Sequence, residues 1–515
     1  MNRISRRNFI KSSSVIGGAV LLAPVVSCKQ WARMNMPEDG YFKEEFGISD
    51  ELCHKLLSKA MSTGGDFADI YVEHSISNWL ILEDGKVSKS YSDIKLGVGI
   101  RTVKDQQVGY GFTQALTEES MLSAAATAAT LVNEVGKTVD NNFKLLNQNS
   151  FYPITDSDLD VSMTTKLPLV IKVNEKCFVL SDKVIKVTAG LHDKLKRIMV
   201  VTSDGTKAED IQPDNYLFAS VTAKDGDKTE RSFHNLGGRH EFSYYTPEVA
   251  EAVAEKAVSK VLNLFEAKQP PAGEMPVVLG PGITGILLHE AIGHGMEADF
   301  NRKETSTYST MLGKQVAEPF VNIIDDATNL NQLGAINVDD EGTPGKKTML
   351  VENGILTSYL HDKISAKYYG VEPTGNGRRE SFEHFPLPRM RNTYMLGANS
   401  TVEDIIKSAK NGIYVEGVSN GQVKIGEGDF AFYVSEGRMI EDGKLTAPIK
   451  DVNIMGNGPK MLANITMAAN DLFMNDGGAG MCGKGGQGVL VSFGMPTCLV
   501  KSMTVGETDQ KGGRS

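Results

Sequence analysis

Residues 282–299 read GITGILLHEAIGHGMEAD, an apolar stretch that carries two histidines and a glutamate between them. The stretch follows a strand predicted at Pro276–Leu279, and its apolar run favours a buried helix. His289 and His294 are five positions apart, so on a regular helix they would lie about 140° apart around the axis. They can share one site only if the helix is distorted between them. Gly293, with its weak helix propensity, is well placed for a π-bulge or a kink.

The two histidines with an adjacent carboxylate predict a metal site. Zinc favours nitrogen ligands, and a catalytic zinc site has three protein ligands and a water. Glu290 would then be the general base that deprotonates this water. The competing interpretation is a buried helix whose histidines only form hydrogen bonds. The residues alone leave the third ligand open, and the candidates are Glu297, Asp299, His361, His384 and Cys482.

Cys482 lies in a glycine-rich segment, residues 475–488, which reads NDGGAGMCGKGGQG. The segment nearly matches a phosphate-binding loop, but Gly485 stands where Ser or Thr should hold magnesium, and a strand-like run follows. A nucleotide-dependent enzyme is therefore a disfavoured alternative. Glycines around a lone cysteine allow the backbone to bring a thiolate close to a metal. The competing interpretation is a small buried residue in a tight loop.

The overall composition sets limits on the class of protein. The chain has 515 residues, of which 41% are hydrophobic, which is enough for several cored domains. Its formal net charge of -10 argues against a protein that grips nucleic acid through phosphates. Five cysteines in so long a chain are not a disulfide scaffold. Cys53, Cys177 and Cys498 lie in apolar stretches and are predicted to be core residues.

The predicted fold class is α+β, with two N-terminal α/β modules followed by a β-rich C-terminal catalytic domain that contains a kinked metal-binding helix. Helices are predicted at 50–62, 118–133, 166–181 and 247–267, and Asp84-Gly85 is typical of a hairpin turn. The best linker is residues 269–273, QPPAG. The predicted divisions are a signal at 1–28, a tether at 29–45, module 1 at 46–150, module 2 at 151–268 and a larger C-terminal domain at 269–515.

Residues 1–28 have the layout of a cleavable signal, with basic, then apolar, then small residues. Residues 5–11, SRRNFIK, resemble a twin-arginine export signal. Residues 25–28, VVSC, resemble a lipobox in which Cys28 would be lipidated. We therefore expect a protein exported across the cytoplasmic membrane, periplasmic or in the cell envelope, and attached to the membrane only through a lipid on Cys28. The alternative is a plain secretory signal with a chance cysteine.

Four motifs in the same order resemble the TldD/PmbA family of metallopeptidases, specifically its catalytic TldD-type members. The resemblance covers roughly residues 65–510. The matching stretches are HEAIGHGMEADFNRK at 289–303, GNGRRES at 375–381, PRMRNTY at 388–394 and MCGKGGQ at 481–487.

The resemblance implies a zinc ion held by His289, His294 and Cys482, with Glu290 as the catalytic base. It also implies a homodimer, or a heterodimer with a PmbA/TldE-type subunit, that cuts unfolded or leader peptides. The best-known members have no export signal and act in the cytoplasm, so the N-terminal segment departs from the family.

The predicted function is thus a zinc-dependent peptidase that hydrolyses unfolded or flexible polypeptides and binds no nucleic acid. The alternative is a non-catalytic binding or scaffold subunit in which a metal only stabilises the fold. Arg378, Arg379 and Arg389 have two open interpretations. They either bind a peptide carboxylate or a transition-state oxyanion, or form buried ion pairs that fix a loop.

Overall fold

A mainly antiparallel sheet connects both predicted N-terminal modules. The computed structural model describes residues 40–139, 142–147, 150–153, 161–424, 426–477 and 480–507. The strands of this sheet are β1 (Phe67–Glu83), β2 (Lys86–Lys104), β3 (Gln107–Thr113), β4 (Lys144–Leu145), β5 (Val184–Thr202), β6 (Thr206–Asp225) and β7 (Lys228–Gly238). Their order is β3-β2-β1-β5-β6, and both β4 and β7 pair with β6. Because β1 pairs with β5, the strands of the two modules are hydrogen-bonded directly to one another.

The hairpin between β1 and β2 turns at Asp84 and Gly85, as the sequence predicts. Both residues have positive φ angles, of 47° and 77°. This is the arrangement of a type I′ turn, whose twist matches that of two antiparallel strands. Glycine adopts it without steric cost.

Helices cover one face of this sheet. They are α1 (Tyr41–Phe46), α2 (Asp50–Ala60), α3 (Glu118–Ala129), α4 (Met163–Leu180) and α5 (Pro247–Glu266). Each of α2 to α5 begins after a Ser or Thr whose side chain accepts a backbone N–H, which satisfies one of the free donors at a helix start. The helices predicted in this half of the chain are confirmed, with ends that shift by a few residues.

The two faces of the sheet differ because side chains alternate along a strand. On β1, Ile70 and Leu80 pack into the apolar clusters formed with the helices. Glu73 and Trp79, on the other face, line a cavity shared with the C-terminal half, and His192 of β5 lines it too. The polar face of the sheet is therefore turned towards the C-terminal domain.

The C-terminal domain contains a closed ring of paired strands. The strands of this group are β8 (Gly273–Leu279), β15 (Gly412–Lys424), β16 (Asp429–Glu441), β17 (Lys444–Pro448), β18 (Val452–Asn457), β19 (Ile465–Ala468) and β24 (Cys498–Glu507). The ring runs β15-β8-β24-β18-β16 and closes by pairing β16 with β15. β17 pairs with β16, and β19 pairs with β24.

A second sheet and two short hairpins complete this domain. The sheet has the order β11-β10-β9-β14-β23-β20. Its strands are β9 (Ile323–Asp326), β10 (Lys347–Glu352), β11 (Ile355–Leu356), β14 (Asn392–Met395), β20 (Phe473–Met474) and β23 (Ser492–Met495). The hairpins join β12 (Gly377–Arg378) to β13 (Leu387–Pro388) and β21 (Met481–Lys484) to β22 (Gln487–Leu490). The helices are α6 (Ala298–Arg302), α7 (Lys363–Tyr369), α8 (Val402–Ala409) and α9 (Gly458–Ala463).

The segment 283–296, here called the site helix, follows β8 and changes its helical form along its length. After a 3-10 turn and one α-helical turn, it becomes a π-helix at His289–Gly293 and ends in a 3-10 turn at His294–Met296. A π-turn adds one residue to the helical repeat, so residues five apart come onto one face. The predicted distortion between the two histidines is confirmed.

The predicted α+β fold, with two N-terminal modules and a β-rich C-terminal domain, is confirmed. The division points at 46–150, 151–268 and 269–515 stay predictions. The predicted signal at 1–28 lies outside the described residues. The predicted tether at 29–45 is described only from residue 40, where α1 follows.

Candidate metal centre

His289, His294 and Cys482 meet in one buried cluster. Their potential ligand atoms all lie within 4.8 Å of one another, although the cysteine is distant in the sequence. The histidines belong to the site helix and the cysteine to β21. All three residues are at most 2% exposed. Two imidazoles and a thiol around one point are a donor set that suits zinc.

The ring of His294 is oriented by a carboxylate. Its Nδ1 lies 2.9 Å from Glu297 Oε2, and its Nε2 lies 3.4 Å from Cys482 Sγ. A carboxylate at Nδ1 makes this nitrogen the donor and leaves Nε2 for a metal. Burial opposes a charged ring, but Glu297 and Cys482 raise the pKa of His294 well above its ordinary value. The surroundings therefore favour positive charge at this ring, carried by a proton or by a metal ion.

The ring of His289 lacks the hydrogen bonds that a buried imidazole normally makes. It is 1% exposed, and neither Nδ1 nor Nε2 has a partner among the described residues. Its ring centroid lies 5.1 Å from that of His294. A buried polar atom without a hydrogen bond costs free energy, so the environment of His289 fits a residue that coordinates a metal.

The thiol of Cys482 is placed where it ionises readily. Burial opposes ionisation, but His289 and His294 outweigh it and lower the pKa of Cys482 well below its ordinary value. The thiolate is the form that binds metals. The other predicted core cysteines, Cys53, Cys177 and Cys498, are buried as expected.

The hairpin β21–β22 presents Cys482 to the histidines. It turns at Gly485 and Gly486, whose φ angles are 59° and 76°. The carbonyl oxygen of Cys482 accepts a hydrogen bond from Arg389, which directly follows β13, so the strand is tied to that segment. Because a strand and not a helix follows Lys484, this segment is not a phosphate-binding loop.

Glu290 lies at the accessible side of the centre. Its Oε2 is 3.6 Å from His294 Nε2, and its side chain is 24% exposed, whereas that of His294 is 2% exposed. A carboxylate that touches both solvent and the cluster is suited to exchange protons with a water molecule.

Glu297 and Asp299, two of the candidate third ligands, are engaged by Lys484 instead. The Lys484 ammonium lies 3.0 Å from Glu297 and 2.7 Å from Asp299, and it also donates to the Pro388 carbonyl at 2.9 Å. Burial opposes ionisation of Glu297, but Lys484 and His294 lower its pKa to about 2. Sequence reasoning did not assign this role to Lys484, although its position two residues after Cys482 on one strand places both side chains on the same face.

The distant histidine candidates lie elsewhere. His361 packs against Tyr359 and Tyr369, with a ring-centroid distance of 5.4 Å to the latter. His384 Nδ1 lies 3.2 Å from Ser381 Oγ. Neither belongs to the cluster around Cys482.

The three arginines have different surroundings. Arg379 forms a buried ion pair with Asp69 of β1 at 3.1 Å, which matches the interpretation of an ion pair that fixes a loop. Arg389 holds the Cys482 strand. Arg378 donates to the carbonyl oxygens of Met390 and Leu490 at 2.6 and 2.7 Å.

Comparison with known proteins agrees with the fold over most of the chain. Models of the PmbA/TldA metallopeptidase match in three parts: domain 1 at residues 68–132, the central domain at 156–265 and the C-terminal domain at 272–507.

Curated relatives cover nearly the same length. A metalloprotease TldD homolog of Buchnera aphidicola is 37% identical over 90% of this chain and 96% of its own length. A metalloprotease TldD homolog of Haemophilus influenzae is 37% identical over 86% of this chain and 93% of its own length. A protein of Saccharolobus solfataricus named zinc metalloprotease TldD homolog is 29% identical over 88% of this chain and 99% of its own length.

Solved structures show the same fold. A protein of Thermotoga maritima, described as a proposed modulator of a DNA gyrase, superposes with a TM-score of 0.73 at 22% identity, over 89% of this chain and all of its own. TldE of Thermococcus kodakarensis superposes with a TM-score of 0.69 at 18% identity, over 88% of this chain and 99% of its own.

The three matched domain models and the curated relatives define a protein of the metallopeptidase class. The chain belongs to the PmbA/TldD family of metallopeptidases, as the resemblance of its motifs predicts.

The predicted export and lipid anchoring are wrong. The relatives that match most of the chain are named metalloprotease TldD homologs, and nothing in their matches supports an export signal or a lipid on Cys28. Among the described residues, no helix has the length and apolar character needed to cross a membrane. The prediction depended on the layout of residues 1–28 and on the resemblance of two short motifs in them to a twin-arginine signal and a lipobox. These residues lie outside the described part.

Proposed function

We propose that this protein is a zinc-dependent peptidase that cuts unfolded or flexible polypeptides, with His289, His294 and Cys482 as metal ligands and Glu290 as the general base. The observation that carries the proposal is the buried cluster of three donors within 4.8 Å, next to a partly exposed glutamate. The zinc metalloprotease name of one relative supports the choice of metal.

The donor set itself fits zinc. The unpartnered ring nitrogens of His289 and the low pKa of Cys482 are what a metal ligand requires. Nitrogen and sulfur donors favour zinc over the hard cations magnesium and calcium. Three protein ligands leave a fourth position open, which is typical of a catalytic and not a structural zinc site.

When bound, zinc supplies Lewis-acid chemistry, because it polarises a carbonyl oxygen and acidifies a water molecule. Glu290 accepts the proton of the attacking water and then passes it to the leaving amine. Glu297 keeps the His294 ring in the tautomer whose Nε2 is free. Arg389 fixes the backbone of Cys482 and so keeps the thiolate at its place.

The decisive variant is Glu290→Gln, which keeps the shape of the side chain and removes the base. We expect zinc content, measured by atomic emission, to remain at the wild-type level. Cleavage of an unstructured peptide should fall by about 10²-fold or more, the range of general-base catalysis. If Glu290→Gln cleaves at the wild-type rate, the proposed mechanism is wrong.

A second variant tests the sulfur ligand. Cys482→Ser replaces the thiolate by a weaker ligand and should lower both zinc content and cleavage. Cys53→Ala, which removes a buried thiol outside the cluster, is the matched control and should retain zinc. Normal zinc in Cys482→Ser would contradict the proposed ligand set.

The alternative is a non-catalytic subunit whose metal only stabilises the fold. It predicts that zinc removal lowers the melting temperature while the zinc-loaded protein cleaves no peptide, alone or with a partner. The open fourth position and the accessible Glu290 favour the catalytic function.

We also propose that the protein works as a dimer, with itself or with a TldE-type subunit. The similarity of its fold to TldE supports this proposal. Light scattering of the purified chain, with and without a TldE-type protein, should give the mass of a dimer. A monomer under both conditions would contradict it.

A further inference from the structure

A cavity of about 430 Å³ lies between the polar face of the N-terminal sheet and the C-terminal domain. On one side it is lined by strands β1, β5 and β6. On the other it is lined by residues around 336–340, by residues 378–380 and by the hairpin β21–β22. It is separate from the metal centre, since none of the three metal ligands lines it.

Basic side chains outnumber acidic ones on the cavity wall. The acidic ones are Glu73, Asp214, Asp340 and Glu380. The basic ones are Lys95, Lys194, Lys196, Arg239, Arg378 and Arg379. Arg379 pairs with Asp69, which does not line the cavity. Lys95 and Lys196 lie 3.9 Å from Glu380 and Glu73, respectively.

Two of the arginines are buried without a carboxylate partner. Arg378 is 6% exposed and Arg239 is 2% exposed. Both donate only to carbonyl oxygens, Arg239 to those of Pro213 and Leu333 at 2.8 and 3.2 Å. No carboxylate of the described residues lies within 4.0 Å of either guanidinium. A buried charge is costly unless a counter-charge approaches it, so an anion in the cavity would be stabilised.

The wall also offers an unfilled hydrogen-bonding position. His192 is 8% exposed, and its Nδ1 has no hydrogen bond and lies 3.7 Å from Asp214. Its ring packs on Trp79 at 4.2 Å and on Tyr216 at 5.0 Å. These rings give the cavity an apolar surface beside its charges, which suits an organic anion.

The hairpin β21–β22 connects the cavity to the metal centre. Met481 and Leu490 are paired across the hairpin, as are Cys482 and Val489. Met481, Gly488, Val489 and Leu490 of this hairpin line the cavity, whereas Cys482 does not and lies among the histidines. A group bound in the cavity therefore lies one hairpin away from the centre and does not compete for the metal.

We propose that this cavity binds an acidic side chain of the peptide substrate, whose carboxylate is held by Arg378, Arg239 and the lysines of β5. The inference rests on the proposed function only in that the ligand is a peptide. The bound carboxylate anchors the chain at a distance from the bond that is cut, and it makes acidic flexible polypeptides the preferred class of substrate.

The test is a binding measurement that does not depend on cleavage. The zinc-loaded full chain with Glu290→Gln is titrated into a fluorescent Gly/Ser decapeptide amide with two Glu residues, and into its Gln counterpart, with fluorescence anisotropy as the readout. We expect the Glu peptide to bind at least about tenfold more tightly, the range of a charge-assisted hydrogen bond. Equal affinities overturn the proposal.

Two variants locate the binding. Arg378→Gln should weaken binding of the Glu peptide about tenfold and leave that of the Gln peptide unchanged. Lys194→Gln, at a half-buried lysine, should weaken binding of the Glu peptide about threefold without disturbing the fold. Lys186→Gln, at an exposed lysine of the same strand that does not line the cavity, is the control and should have no effect.

Competition with small anions distinguishes the ligand chemistry. Acetate and inorganic phosphate at equal ionic strength should compete with the Glu peptide weakly and to a similar extent. This result supports a carboxylate within a larger ligand. Displacement by phosphate alone would overturn the carboxylate assignment. An unchanged affinity in both Arg378→Gln and Lys194→Gln would overturn the location. Cleavage by Glu290→Gln contradicts the proposed function, and a lack of charge dependence contradicts only this inference.

Discussion

The ammonium group of Lys484 holds two carboxylates that follow the histidines on the chain. It contacts Glu297 and Asp299 at 3.0 and 2.7 Å, and its side chain is only 5% exposed. Glu297 in turn fixes the ring of His294. Lys484 therefore supports the metal centre without touching it, in the manner of the outer hydrogen-bond partners that orient metal ligands.

Lys484→Met removes this charge and leaves Glu297 and Asp299 buried without a cation. Loss of one partner of a buried ion pair costs about 3–5 kcal/mol, so we expect the free energy of unfolding in urea to fall by an amount of this order. Lys501→Met, at an exposed lysine of β24, should change it by less than about 0.5 kcal/mol. Equal stabilities of the two variants would contradict the role of Lys484.

His74 should make the folded protein sensitive to acid. Burial and the neighbouring Arg197 lower the pKa of His74 to about 4, below the ordinary value of about 6.5 that it has in the unfolded chain. The unfolded chain therefore binds the proton first as the pH falls.

Stability due to His74 is present above pH 6.5 and is lost as the pH falls from about 6.5 towards 4. At pH 5 we expect a loss of about 2 kcal/mol from this residue by linkage. His74→Gln should keep an acceptor for the Tyr41 hydroxyl, which lies 2.7 Å from His74 Nδ1, and flatten this part of the curve. Urea unfolding at pH 7 and pH 5 measures the effect. An equal decrease in the free energy of unfolding between these pH values for the wild type and His74→Gln would contradict it.

At the scale of elements, the π-turn of the site helix is maintained by close packing. An added Cβ at Gly293 would collide with the Met390 Sδ atom. Met390 is itself fully buried and belongs to the main core of the C-terminal domain. The helix therefore lies closer to the core than a larger residue at position 293 would allow.

Gly293→Ala should destabilise the protein by about 1–3 kcal/mol, the usual cost of overpacking a core. In the double variant with Met390→Ala the collision is absent. Its loss of unfolding free energy should therefore be smaller than the sum of the losses in the two single variants. Gly483→Ala, where an added Cβ meets no atom within 4 Å, is the control. Additive losses in the double variant would show that the Met390 contact is not the cause.

At the scale of the whole molecule, buried ion pairs join the N-terminal sheet to the C-terminal domain. Arg101 of β2 contacts Asp69 of β1 and, at 2.7 Å, Glu341 of the C-terminal domain. Arg379 reaches back to Asp69. All four side chains are 0% exposed, so the two parts of the chain share one buried network of charges.

Arg101→Met leaves Glu341 buried without its cation. We expect the free energy of unfolding to fall by about 3–5 kcal/mol. Lys55→Met, which breaks an exposed pair with Glu118, should cost less than about 1 kcal/mol. Thermal unfolding followed by calorimetry compares the two, and similar losses would contradict the role of the buried network.

The sequence by itself determined the fold class, the N-terminal helices and the need for a distorted helix at the histidines. These features depend on local rules: apolar periodicity, capping residues such as Thr117, turn residues such as Asp84-Gly85, and the angular step of a helix. Such rules act within a few residues, so they can be applied without knowing the rest of the chain. The short basic and apolar pattern at residues 1–28 shows the limit, because it led to a wrong expectation of export.

Only the tertiary structure decided which residues meet. It placed Cys482 beside His289 and His294, left His361 and His384 elsewhere, and gave Glu297 and Asp299 to Lys484. It also joined the two N-terminal modules in one sheet and enclosed a cavity against the C-terminal domain. The physical reason is that these contacts join residues more than a hundred positions apart. Pairing at that distance depends on the packing of whole elements, which local sequence rules do not contain.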